Sequence, residues 1–82
     1  MLAYPKPGDR IIVIGRMSNE PVPIQVGTTG TIREVWNEGD PLEQVSVDWD
    51  PSPNGERRTL MLVPSDYRIV RRLKPDEEKG TP

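Results

Sequence analysis

The chain has 82 residues, with ten Pro, seven Gly, 33% hydrophobic residues, a formal net charge of −2, and no Cys, His or Phe. That length is one domain near the lower limit for folding without disulfides or metal, so a few aliphatic positions, each giving roughly 1.5–3 kcal/mol when buried, must carry the core. Without His or Cys there is no thiolate nucleophile, sulfur-ligated zinc or imidazole base, which removes most catalytic designs and points to a chain that is not an enzyme and uses no cofactor.

Residues 1–8 show neither a charged start followed by an apolar stretch nor a cleavage signature, and the longest apolar run, 11–14, is far too short to span a bilayer. A soluble protein with no membrane partner is the expectation, and the lack of Cys fits a reducing, cytoplasmic location. Gly8-Asp9 is a turn signal ahead of a β-branched run, and predicts a first strand over 10–16 with Ile11 and Val13 inward and Ile14 partly covered. Residues 17–26 hold Pro21 and Pro23, which remove ladder donors and fix φ, so they read as a long irregular loop. A second strand is predicted over 30–35, with Ile32 inward, an irregularity before Val35 and a close backbone approach at Gly30.

Residues 36–42 contain Asn37, Gly39, Asp40 and Pro41, which is turn chemistry. The stretch 44–50 then alternates with period two, Val45, Val47 and Trp49 facing one way and Ser46, Asp48 and Asp50 the other. Asn54-Gly55 is a hairpin signal, and 57–63 is the predicted returning strand, with Leu60 and Leu62 inward. Pro64-Ser65-Asp66 suits one helical turn before a last strand over 67–71. From Lys74 on the chain is charged, bounded by prolines and free of apolar residues, which predicts a disordered tail over 74–82.

The expectation is an all-β domain over 1–73: five short strands, a long first loop, tight hairpins and one short helical turn before the last strand. This is the outline of a five-stranded SH3-like barrel. Pro7-Gly8-Asp9-Arg10-Ile11, Val26-Gly27-Thr28-Thr29-Gly30-Thr31-Ile32 and Val45-Ser46-Val47-Asp48-Trp49-Asp50 resemble the Gly-Asp, Gly-x-x-Gly and Val-x-Val-x-Trp pattern of KOW-type and related barrels. The same residues resemble a small family of unknown function found in bacterial and phage genomes. The resemblance covers residues 6–73 and implies the barrel fold. Relatives of that barrel touch RNA, dock electron carriers or bind peptides, so it leaves the partner open. The basic loops of RNA-binding KOW modules are missing here.

Charge is uneven along the chain. Residues 34–56 hold seven carboxylates and no Lys or Arg, whereas 57–74 hold six basic residues and one acid. Arg57, Arg58, Arg68 and Arg71, with Arg72 and Lys74, can meet phosphate or an acidic partner; alternatively they pair with the acids across the hairpin. Trp36, in a polar stretch, is a contact candidate or a lid on one barrel end. Val22 and Ile24 in the Pro-rich loop are apolar contacts or plug the barrel. Tyr4 and Tyr67 read as rim covers, and Asp48 and Asp50 as a solvated strand face rather than a catalytic pair. The expected function is a non-enzymatic interaction module for a protein partner. A weak nucleic-acid module and, from the phage resemblance, a small antagonist of a host factor are the alternatives.

Overall fold

The computed structural model describes residues 2–17, 24–51 and 60–74 of the chain. Val22, Arg57, Arg58, the Asn54-Gly55 turn, residues 57–59 of the strand predicted over 57–63 and all but Lys74 of the predicted tail lie outside the described residues; the described part of that strand, 60–63, makes only an isolated bridge at Leu62.

Four strands form one antiparallel sheet: β1 (Arg10–Val13), β2 (Thr29–Trp36), β3 (Gln44–Trp49) and β4 (Val70–Arg72), in the order β3-β2-β1-β4. Alternation decides what is buried. Ile11, Val13, Ile32, Val45, Val47, Trp49 and Val70 all face the core, as period two requires of residues on one side of a pleated sheet. Leu62 joins them: it makes an isolated antiparallel bridge to Val45, with the two backbones exchanging hydrogen bonds of 2.8 and 2.9 Å. The Trp49 indole N–H donates to the Leu60 carbonyl at 3.2 Å, so the stretch 60–62 lies along the outer side of β3. The described residues are all-β apart from one 3-10 helix, Pro64–Ile69.

Several boundaries differ from the sequence expectation, each for a local reason. β1 stops at Val13 because the Ile14 and Gly15 amides turn to the Ile69 carbonyl, and Ile14 is partly covered, at 43% exposed. Residues 67–69, predicted as strand, are helical. Pro64 opens the helix with its φ already suited, the Asp66 carboxylate accepts from the Val63 amide at 3.1 Å, and the last strand begins only at Val70. β2 runs on past its predicted end because Trp36 pairs with Gln44. The irregularity before Val35 is present as a register shift between Ile32 and Glu34, with Arg33 as the extra residue.

The N-terminal segment is also part of the fold. The Leu2 amide donates to the Tyr67 carbonyl at 2.9 Å and the Leu2 side chain is fully buried, which nothing in its spacing announced. Arg72 ties the same segment to β4, donating to Asp9 at 2.9 Å and to the Tyr4 carbonyl. Tyr4 itself points to solvent and does not cover a rim.

Candidate interaction site

The described surface divides into regions of different chemistry. On the outer face of the sheet, Arg10 forks onto both oxygens of Asp50 at 3.0 and 2.7 Å and also donates to the Thr31 hydroxyl at 3.0 Å. The Thr29 hydroxyl donates to the same carboxylate. A planar guanidinium matched to a carboxylate in this way is a positioned pair. It links β1 and β2 to the end of β3, so Asp50 serves as a cross-strand acceptor.

The hairpin end between β2 and β3 has a different character. Asn37 and Gly39 both adopt positive φ, 54° and 82°, which turns the chain sharply after Trp36. Backbone bonds from Asp40 to Asn37 and from Glu43 to Asp40 close the turn, and the Asp40 carboxylate accepts from the Leu42 amide at 2.8 Å. Glu43 points the other way. Its carboxylate accepts from the Gly39 amide at 2.9 Å and from the buried Tyr67 hydroxyl, so it locks the turn to the 3-10 helix.

With Glu43 turned inward, the apolar residues of the turn are left outside. Trp36 is 50% exposed and Leu42 is 74% exposed. Beside them lies an open groove of about 310 Å³ lined by Asn37, Pro41, Leu42, Glu43, Gln44 and Val63. That volume is at the lower end for ligand pockets and the groove is not enclosed, so it suits one or two side chains of a partner better than a sequestered small molecule.

Trp36 is therefore an exposed residue at the end of a strand, neither in a loop nor folded back as a lid. Ile24 is 4% exposed and belongs to the core, so it is not an exposed contact side chain. Arg68 is exposed on the 3-10 helix; Arg71 is half-buried on β4 and donates to the Arg72 carbonyl. Trp36 and Arg71 do not share a patch. Arg71 lies opposite Ile12, and Ile12 opposite Thr29, seven residues from Trp36 or roughly 23 Å along the strand. Leu42 was missed by pattern reasoning; the signal available was an apolar residue directly after Pro41 inside a turn.

Burial first, then the bond to Glu43, then the charges of Glu43 and Asp66, push the Tyr67 phenol well above its ordinary value of 10. A raised pKa means that the folded chain holds the proton after the unfolded chain has released it. Stability is therefore full below the ordinary phenol range and falls as pH rises above it, by at most about 1.4 kcal/mol per pH unit. Urea unfolding of wild type and Tyr67→Phe between neutral and alkaline pH is expected to show this decline in wild type and a smaller one in the variant. Parallel profiles would remove Tyr67 as its source.

No protein-family model matches the chain, and no curated protein or solved structure is significantly similar to it. Among the described residues no helix is long and apolar enough to cross a membrane, and no three acidic side chains gather as metal ligands would.

Proposed function

We propose that the chain is a five-stranded SH3-like barrel that works as a non-enzymatic binding module, taking a protein partner at the hairpin end that carries Trp36 and Leu42. Support for the barrel is topological. The stretch 60–62 flanks β3, and β4 returns beside β1, which together with the β1-β2-β3 meander is the strand order such a barrel uses. The observation that carries the binding reading is the exposure of Trp36 and Leu42 at one hairpin end, beside an open groove of mixed polar and apolar lining, on a chain whose core is otherwise short of aromatics. A large aromatic left outside in that position is what interface anchors are made of.

A photo-cross-linking amino acid placed at position 42 is expected to capture a protein from an extract of the native cells. The same group at Val26, which is exposed outside that hairpin end, is the control. The double variant Trp36→Ser, Leu42→Ser should unfold within about 0.5 kcal/mol of wild type, as exposed substitutions do, and still lose the partner. Capture of nucleic acid alone, or equal capture from both positions, would refute the reading.

Binding to nucleic acid is the second reading, favoured by the exposed guanidinium groups of Arg16 and Arg68. It requires a complex at low salt that weakens steeply as salt rises. The host-factor antagonist is a special case of the protein-partner reading and rests on the resemblance to phage sequences.

A further inference from the structure

Resting on the protein-partner reading above, we propose that the segment received by the Trp36 and Leu42 surface is a cationic, partly apolar peptide stretch, in which Arg or Lys side chains flank an aliphatic residue.

The groove has a mixed lining: Pro41, Leu42 and Val63 supply apolar surface, and Asn37, Glu43 and Gln44 supply polar groups. Its surroundings are negatively charged. Glu34 stands on the same strand face as Trp36, two residues earlier, opposite Ser46, while Gln44 lies directly across from Trp36. The turn adds Glu38 and Asp40, both exposed, and the Asp40 carboxylate is held beside the Leu42 backbone by the amide it accepts. Arg33, the extra residue at the β2 irregularity, is exposed at the start of this region. Residues 34–51 contain no Lys or Arg, so along this stretch of chain the exposed Glu34, Glu38 and Asp40 outnumber the one basic residue next to it, Arg33.

This arrangement discriminates among partners. A guanidinium or ammonium group entering over the Trp36 ring is attracted by the ring face and by the flanking carboxylates together. A phosphate or an acidic peptide at the same place meets like charge and gains nothing from the ring. The aliphatic residue matches the apolar part of the lining, Pro41, Leu42 and Val63, and covering it removes that surface from water. The rim carboxylates therefore set orientation and selectivity, while the groove and Trp36 supply the anchor.

The test is selection from a random-sequence peptide library displayed on phage, with the full-length chain immobilised and the Trp36→Ser, Leu42→Ser chain used to subtract background. Enriched peptides are expected to carry Arg or Lys around an aliphatic residue. Their synthetic versions should bind roughly tenfold more weakly to Trp36→Ser, the effect of losing an interface anchor. Charge reversal by Glu34→Lys with Glu38→Lys should weaken them similarly, and added salt should weaken them in wild type. Enriched peptides that depend on Trp36 but are neutral or acidic would overturn the cationic assignment and leave the binding module standing. No Trp36-dependent peptide at all would overturn both. So would an oligonucleotide whose binding is lost in Trp36→Ser.

Discussion

Glu43→Ala is expected to destabilise the domain by about 3 kcal/mol, because hydrogen bonds to a charged acceptor contribute roughly 1.5–3 kcal/mol each and this carboxylate accepts two of them. Losing it leaves the buried Tyr67 hydroxyl and the Gly39 amide without their acceptor, and removes the tie between the β2-β3 turn and the 3-10 helix. The two losses are unequal. The Gly39 amide belongs to an exposed turn that water can reach, whereas Tyr67 is buried, so most of the effect belongs to the phenol. Tyr67→Phe, which deletes the donor but keeps the ring, should accordingly cost about 1–2 kcal/mol, and Glu43→Gln, which keeps an acceptor, should fall between that and wild type. Urea unfolding reads all three. A Glu43→Ala midpoint indistinguishable from wild type would show that the turn holds its place without this bond.

Gly30→Ala should cost a further class of stability, about 2 kcal/mol net. Gly30 lies between Ile11 and Trp49 on the inner side of the sheet, where the pleat would aim any side chain into the core. A Cβ there would stand 2.8 Å from Trp49 Cε3, 2.9 Å from Val47 Cγ1 and 3.1 Å from the Asp48 carbonyl oxygen. None of these can move alone: the ring and the methyl group are packed in the core, and the carbonyl is backbone. Overpacking of this kind costs about 1–3 kcal/mol, against which Ala recovers roughly 0.5–1 kcal/mol of the conformational entropy that Gly loses in a strand. For a domain this small the melting temperature should drop by roughly 8–16 °C. The cause can be isolated by repeating the change with Trp49→Leu already in place. If the Trp49 ring is the obstacle, Gly30→Ala becomes far less costly in that background. An unchanged penalty would move the blame to Asp48 and the backbone.

Much of the inner face was legible in the sequence. Alternation points Val45, Val47 and Trp49 inward; the continuous run 11–14 leaves its face ambiguous by one residue, with Ile11 and Val13 the favoured inward pair; these five and Ile32 are buried. The irregularity before Val35 and the close approach at Gly30 were legible too, because a break in β patterning and a glycine amid β-branched residues are local signals. Other features had none. Leu2 reads as part of a Pro-rich lead-in, yet it is core because its backbone reaches Tyr67. Ile24 was open between contact and core until its burial decided it. Trp36 was assigned to a loop, since only its pairing with Gln44 reveals that the strand continues.

The sequence by itself determined the class of structure: its Pro and Gly content rules out long helices, and its period-two stretches define which residues face inward, since both are properties of neighbours along the chain. Only the tertiary structure decided the long-range partners. Glu43 meets Tyr67, 24 residues away, Arg10 meets Asp50, 40 away, and Asp9 meets Arg72, 63 away. Those meetings follow from the turn bending back onto the helix, from β1, β2 and β3 lying side by side, and from β4 returning to lie beside β1. The exposure of Trp36 and of Leu42 has the same origin: local patterning specifies which side of a strand a residue takes, but whether that side is then covered depends on elements that are distant in sequence and adjacent in the fold.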